Sequence, residues 1–314
     1  MATSPIYRAF VGLSSFAVTV CAASVWASAE PKVLATIKPV HALVAQVMGA
    51  TGTPDLLVGG TASPHTYVMK PSDAKKLAAA AIVFRVAETI DPFVTKAVAG
   101  LPKTTLVVTL AKASGVTTLP QREGGAFEAD HDGEHGHDHG RDAVDGHVWL
   151  DPTNAKAMLD TIATTLAERM PDSAATYRRN ADAAKVRIDE LAAELTLALA
   201  PVVGRPYVVF HDAYQYFEKR FGLTVAGSIT VNPDIPPSGK RLSQLRAKIA
   251  SLGVACVFGE PNFDAKVIAT VIEGSSARSG TLDPEGASLP PGPELYGTLM
   301  RNLAAGLKTC LQPS

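Results

Sequence analysis

Short strand-forming runs alternate with longer segments of helical spacing through most of this 314-residue chain. The alternation begins after the first thirty residues and returns in the last third of the chain. It predicts an α/β protein, built from parallel sheets with helices on their faces. The predicted strands are residues 33–38, 54–59, 81–86, 104–110, 205–210, 223–231, 254–260 and 278–284.

One helical segment is unusually long. Residues 172–200 are rich in strong helix formers and contain no Gly or Pro. Their apolar stripe is too short for the sustained seam of a coiled coil, so we expect a rigid connector between two domains rather than a coiled-coil arm. The predicted organisation is a signal segment at 1–29, an amino-terminal lobe at 30–171 with a histidine-rich loop at 121–146, the connecting helix at 172–200, and a carboxy-terminal lobe at 201–314.

The first thirty residues predict export. Arg8 supplies one positive charge, an apolar run follows at residues 10–26, and the small residues 27–29 precede Glu30. A cleaved secretory signal is favoured over a membrane anchor, because the run contains several Ser and Thr and falls short of about 20 apolar residues. We therefore expect the mature chain to begin near Glu30.

Charge and cysteine content argue against two classes of function. The formal net charge is −1 and no basic stripe is present, so nucleic acid is not an expected partner. Removal of the signal leaves Cys256 and Cys310, and an even count in an exported chain predicts a disulfide, with two separate buried thiols as the alternative. The absence of a CxxC motif gives redox chemistry no support.

A histidine-rich segment between Asp130 and Asp145 is the strongest chemical signal. It reads DHDGEHGHDHGRDAVD and holds half of the chain's eight histidines. Neutral imidazole suits zinc, copper, nickel and iron, so we favour a low-affinity metal collector. The alternative is a solvated spacer that binds metal only incidentally, since Gly, Asp and His cannot form a core. The candidate loop ligands are His131, His135, His137 and His139.

Three other histidines stand singly where strands end or a helix begins. His65 and His211 follow predicted strands, and His147 precedes the Asp-Pro pair that opens a helix. Asp283 comes directly after RSGTL of the last strand. Ligands of doubly wound sheets sit outside the carboxyl ends of the strands. Two candidates come from each half of the chain, which predicts a site in the cleft between two lobes.

Five segments resemble the periplasmic zinc-binding receptors of high-affinity ABC importers, the ZnuA-like family: ASPHTYVMKPSD, DGHVWLDP, FHDAYQYFEKRFGL, GEPNF and GTLDP. The resemblance covers nearly the whole mature chain. It implies two lobes joined by one long helix, with Zn²⁺ held between them as transported cargo and no catalysis. It also implies a periplasmic monomer that delivers zinc to an inner-membrane permease with its cytoplasmic ATPase. The matched ligands are His65, His147 and His211, with Asp283 at a carboxylate position that water or another carboxylate can take in the zinc branch.

The donor set favours zinc within this family. Three imidazoles and one carboxylate make a closed tetrahedral site, which zinc accepts readily. Similar manganese receptors usually carry a glutamate where His211 stands, since harder oxygen donors suit manganese. The sequence does not distinguish zinc from copper or iron. Two other functions are also kept as alternatives. One is an exported adhesion or metal-buffering protein of the same fold, and the less favoured one is a zinc hydrolase, for which the chain lacks an HExxH motif.

Residues beside these motifs have expected supporting roles. Asp212 and Glu260 are candidate acceptors for a ligand's ring N–H, with helix capping or ion pairing as the alternative. His41 is interpreted as a helix-start or core histidine rather than a group near the cleft. Trp149 either walls the site from water or lies in the core of the lobe. Packing roles are expected for the aromatic residues Tyr214, Tyr216 and Phe217.

Overall fold

The computed structural model describes residues 1–2, 31–122, 143–233 and 235–312. Contacts separate residues 1–30 from a single compact unit formed by the rest of the chain, and the fold described here is that of the second unit. The predicted signal falls outside the described residues apart from its first two positions, and the four loop histidines fall outside them altogether. None of the described helices is both long and apolar enough to cross a membrane.

Two four-stranded sheets form the framework, as the sequence predicts. Their strand orders are β2-β1-β3-β4 and β6-β5-β7-β8, and every neighbouring pair is parallel. The two halves of the chain therefore repeat one topology, and each forms a lobe. The strands are β1 (Val33–Ala35), β2 (Asp55–Leu56), β3 (Ile82–Arg85), β4 (Leu106–Thr109), β5 (Tyr207–His211), β6 (Val225–Thr230), β7 (Cys256–Gly259) and β8 (Arg278–Thr281).

Helices connect the strands and cover both faces of each sheet, and proline stands at the start of four of them. Proline is suited to the first turn because its missing N–H would have no partner there. In the described residues the α-helices are α1 (Lys38–Met48), α2 (Pro71–Ala79), α3 (Pro92–Val98), α4 (Pro152–Arg169), α5 (Ala174–Leu199), α6 (Gln215–Phe221), α7 (Gly239–Leu252), α8 (Ala265–Ile272) and α9 (Leu295–Leu311).

Successive residues of the central strands face different layers. In β5, Tyr207 and Val209 belong to the large core that α1, α4, α5 and α9 share, whereas Val208 belongs to an outer core with α7 and α8. In β3, Phe84 enters the shared core and Val83 enters the outer core of the first lobe. Burial on both faces explains why these strands are continuously apolar.

The long helix α5 joins the two lobes. It starts at Ala174 because a short 3₁₀ turn occupies Pro171–Ser173, and it ends at Leu199. The apolar side chains that share one face of the helix are all buried, and α5 packs on α1, α4 and α9. Those side chains belong to the shared core, so the helix is part of the body of the protein.

The lobes are held together by buried polar contacts as well as by the core. Lys38, the first residue of α1, is buried, and its Nζ donates to the carbonyl oxygens of Gly286, Ala287 and Leu289 at 2.7–3.2 Å. These carbonyls belong to the loop between β8 and α9 in the other lobe. A lysine that makes three bonds across the boundary restrains the relative position of the lobes.

The predicted disulfide is confirmed. Cys256, the first residue of β7, is bonded to Cys310 in α9, with a Cα–Cα distance of 6.1 Å. The bond closes a loop with a sequence separation of 54. It lies at the amino end of β7, whereas the candidate ligands lie beyond the carboxyl ends of the strands.

Candidate metal centre

Three histidines from separate parts of the chain meet between the lobes. His65 lies in the loop from β2 to α2, His147 precedes the short turn that leads into α4, and His211 is the last residue of β5. One ligand atom of each lies within 4.8 Å of the others, and among the described residues this group contains no fourth member. The structure therefore brings together three of the four predicted ligands.

The spacing of the imidazole nitrogens matches a zinc site. The Nε2 atom of His147 lies 3.3 Å from Nε2 of His65 and 3.3 Å from Nε2 of His211. Tetrahedral zinc with Zn–N bonds of about 2.0–2.1 Å separates its nitrogen ligands by roughly 3.3–3.4 Å. His147 therefore has the spacing of a shared zinc ligand with each of the other two rings, and all three ligand atoms lie within 4.8 Å of one another.

Carboxylates orient two of the rings. His147 Nδ1 lies 2.8 Å from Asp145 Oδ1, and His211 Nδ1 lies 2.7 Å from Glu260 Oε1. A carboxylate accepts, so each Nδ1 carries the proton and each Nε2 presents a lone pair to the centre. Two lone pairs at 3.3 Å repel each other, and a cation between them removes the repulsion. This is the arrangement that a metal ligand with an outer-shell acceptor requires.

Local chain geometry explains how Asp145 reaches its histidine. Residues 117–122 and 143–147 form a short antiparallel ribbon, called the ribbon below, with Pro120 bridged to Val144. Asp145 also accepts the backbone N–H of His147 at 3.0 Å, so the carboxylate folds back over the intervening glycine.

Gly146 cannot carry a side chain in this conformation. A Cβ atom there would lie 2.5 Å from Ile90 and 2.6 Å from the Thr89 hydroxyl.

Asp145 was not predicted from the sequence as an acceptor for a ligand ring. The Asp-Gly-His spacing is the signal that could have identified it.

Burial sets the protonation of the ligands. Burial and the neighbouring imidazoles lower the pKa of His65 and of His147 well below the ordinary value, which keeps both rings neutral near pH 7. Burial also opposes charge on His211, but the carboxylates of Glu260, Asp212 and Asp145 together outweigh it and raise the pKa of that ring. Burial raises the pKa of Asp145 to about 7, so a divalent cation beside His147 would favour its charged form.

A cavity of about 240 Å³ opens onto His65 and His147. The first lobe contributes His65, His147 and Glu88 to its wall, and the second contributes Asp212 and residues 231–233. Positions at both ends of the 123–142 segment, Gln121 and Val144, also line it. An ion can therefore approach His65 and His147 from this side.

Asp283 lies outside the histidine group. Its carboxylate oxygens accept the backbone N–H groups of Glu285 at 3.2 Å and Ser288 at 3.4 Å. In this structure the side chain therefore braces the loop that follows β8, at the carboxyl end where the sequence places it.

The residues predicted to support the site have different roles in the structure. Glu260 accepts from a ligand ring, whereas Asp212 pairs with Arg122 instead. His41 is buried in α1, where its Nε2 lies 3.0 Å from the Pro54 carbonyl, as expected of a core histidine. Trp149 lies in the core of the lobe, where its ring is fully buried and its centroid lies 5.3 Å from that of His147.

The aromatic residues after His211 do more than pack. All three are buried, but Tyr214 also donates to Glu260 at 3.2 Å and Tyr216 donates to the Asp145 carbonyl at 2.6 Å. The expectation of a packing role was therefore incomplete, because two of the hydroxyls hold the residues that orient the ligands.

Replacing Glu260 by glutamine will weaken zinc binding by about 10–100-fold, because the ring of His211 loses a charged acceptor and donates less strongly to the metal. Affinity measured by chelator competition checks this. Glu273→Gln, which changes an exposed glutamate of the same lobe, is the control and should bind zinc as the parent does. Equal affinities in both variants would show that Glu260 does not support the site.

Comparisons with known families and proteins agree with this geometry. The family model for ZnuA, the periplasmic component A of a zinc-uptake complex, matches residues 33–310. A relative from Brucella abortus (strain 2308), named high-affinity zinc uptake system protein ZnuA, is 43% identical over 330 aligned positions. The alignment covers 95% of this chain and 96% of the relative.

Solved structures share the fold. A crystal structure of ZnuA is 25% identical, covers 88% of this chain and 99% of its own, and superposes with a TM-score of 0.72. A laminin-binding adhesin (Lmb) mutant from Streptococcus agalactiae gives a TM-score of 0.73 at 22% identity, covering 90% of this chain and all of its own, a likeness of fold alone. Because the family match runs from the first strand to the last helix, this chain belongs to the ZnuA family of periplasmic zinc-uptake components.

Proposed function

We propose that this protein captures Zn²⁺ in the periplasm through His65, His147 and His211 and delivers it for uptake. The observation that carries the proposal is the pair of 3.3 Å contacts among three Nε2 atoms, two of which present lone pairs when their rings are neutral. A set of three nitrogens held by the fold suits a receptor, which binds its cargo and releases it unchanged. Asp283 or a water molecule is proposed as the fourth donor.

The donor chemistry supports zinc over manganese. All three converging atoms are imidazole nitrogens, and the carboxylates of Asp145 and Glu260 are occupied with ring N–H groups. Manganese prefers oxygen donors, whereas zinc accepts nitrogen readily. The four loop histidines at 131–139 are proposed as an additional, weaker zinc-binding segment.

Zinc affinity will fall as the pH is lowered through the raised pKa of His211. Only the neutral ring binds, so affinity is full above that pKa and drops by up to about tenfold per pH unit below it as a proton competes. Glu260→Gln removes the largest of the attractions that raise the pKa, so the drop should move to lower pH. Chelator competition between about pH 5 and 8 measures both profiles. Identical midpoints would contradict this origin of the pH dependence.

We also propose the cellular setting implied by the family. Residues 1–29 act as a cleaved export signal, and the lobes at 30–171 and 201–314 flank the connector at 172–200. The mature chain acts as a monomer, without catalysis or nucleic acid, and hands zinc to an inner-membrane permease with its cytoplasmic ATPase.

An adhesion protein of the same fold is the second candidate, favoured by one observation, the fold likeness to the laminin-binding adhesin. Growth of the native host under zinc chelation distinguishes the two. Replacing the chromosomal gene with the His211→Ala variant should abolish growth that added zinc restores. Normal growth of the variant, with loss of laminin binding on deletion of the gene, would support adhesion instead.

A further inference from the structure

The ribbon that carries His147 is fastened to the opposite lobe. Tyr216, in α6, accepts the N–H of Leu119 at 2.9 Å and donates to the Asp145 carbonyl at 2.6 Å. Gln215 donates to the Pro120 carbonyl at 3.1 Å. Both strands of the ribbon are thus bonded to a helix that follows His211.

Arg122 makes the charged part of this attachment. Its Nε lies 2.9 Å and 3.1 Å from the two carboxylate oxygens of Asp212, to which Nη2 also bonds, and its Nη1 lies 2.9 Å from Glu218 Oε2. Asp212 and Glu218 are both buried, and the ion pairs described for them come from this one guanidinium. Asp212 directly follows His211, and Arg122 lies on the ribbon of His147.

The contact therefore joins the two metal-binding segments at a fixed distance. The planar fork of the guanidinium holds the Asp212 carboxylate through Nε and Nη2, and Nη1 adds an ion-pair contact with Glu218, so both the distance and the angle between the segments are set. The Nε2 atoms of His147 and His211 must lie about 3.3–3.4 Å apart to share a tetrahedral ion. A small displacement of the ribbon along α6 would break that match.

We propose that Arg122 is a positioning residue for zinc binding, which holds the ribbon of His147 in register with the Asp212 segment of His211. This inference rests on the proposed zinc function. Arg122 does not touch the ion; it acts through the two segments.

The direction of the effect separates positioning from simple electrostatics. Removing a positive charge near a cation site would by itself tighten zinc binding. Loss of register would weaken it. Arg220 provides a matched control, because it too joins the two halves of the chain through a guanidinium. It lies in α6, forms a bidentate pair at 2.8 Å with Asp151, and does not line the cavity.

The test uses residues 30–314 with Arg122→Met, Arg122→Lys and Arg220→Met, and measures zinc affinity by chelator competition and coordination geometry from the visible spectrum of bound Co²⁺. Arg122→Met should weaken zinc by about 10–100-fold and change the Co²⁺ bands, as loss of an outer-shell support does. Arg122→Lys, which keeps the charge but not the fork, should show a smaller change in the same direction. Arg220→Met should match the parent in both measurements.

Unchanged or tighter zinc binding in Arg122→Met, with the parent Co²⁺ spectrum, would overturn the proposal. If that variant fails to fold by circular dichroism, Arg122→Lys decides, and parent-like affinity and spectrum would overturn it equally. The parent and His211→Ala separate this inference from the proposed function. A parent without a tight zinc site removes both, whereas a tight site lost in His211→Ala but kept in folded Arg122 variants removes only the role of Arg122.

Discussion

Replacing His211 by alanine will weaken zinc binding by more than the loss of any outer-shell group, about 100-fold or more. The substitution removes one of three converging nitrogens and leaves Glu260, which is buried, without its ring N–H donor. The remaining nitrogens of His65 and His147 cannot close a tetrahedron alone. Chelator competition on residues 30–314 measures the change.

His41→Asn is the control for that substitution. His41 is also buried and also sits in the core of a lobe, but it lies outside the histidine group. The control should lower stability and keep the zinc affinity of the parent. Comparable losses of affinity in both variants would mean that His211 acts through folding rather than through the metal.

Removing the disulfide will lower the free energy of unfolding by about 4 kcal/mol on the chain-entropy model, because the bond closes a loop of this length in the unfolded chain. The variant is the double substitution Cys256→Ala with Cys310→Ala, compared with the oxidised and the reduced parent in denaturant unfolding. Zinc affinity should stay unchanged, because the bond lies at the end of β7 opposite to Glu260.

Two results would contradict that prediction. A change in the unfolding free energy below about 1 kcal/mol would show that the unfolded chain is already restrained. A loss of zinc affinity alongside the loss of stability would show that α9 transmits strain to the cleft, which would place the disulfide among the groups that shape the site.

The fold was predictable because most strands and helices have a recognisable local pattern of apolar and polar residues. The central strands are predictable because their runs are apolar on both faces, as Tyr207 and Val208 show by entering different cores, whereas the edge strand β8 is mostly exposed. β2 is shorter than predicted and covers only Asp55–Leu56, since it lies at the sheet edge and pairs with β1 alone. The chain after it turns away toward the loop of His65.

The histidine ligands were predictable for a related reason. His65 and His211 follow strands, and the carboxyl ends of parallel strands gather at one edge, so their meeting follows from topology. Asp145 and Arg122 were not predictable in the same way. The bond of Asp145 to His147 is local, and the Asp-Gly-His spacing is its signal. The contacts of Arg122 depend instead on the register of the ribbon and on how α6 packs against it, which no local pattern encodes.

Glu260 and Asp212 show the limit most clearly. Both are acids at strand ends beside a candidate ligand, and the sequence gives no reason to rank one above the other as the ring acceptor. The structure separates them because Arg122 reaches Asp212 from the ribbon, whereas Glu260 faces the Nδ1 atom of His211. The ion pair between Arg122 and Asp212, which joins the two lobes, therefore determines which of the two acids accepts from the ring of His211.

Competition between zinc and manganese for residues 30–314, measured with a chelator and with the bound metal counted, tests the central claim most directly. We predict one tight zinc ion per chain, manganese bound far more weakly, and additional weak zinc from the 123–142 segment. Manganese bound as tightly as zinc, or no tight zinc ion at all, would contradict the assignment of His65, His147 and His211 as a zinc site.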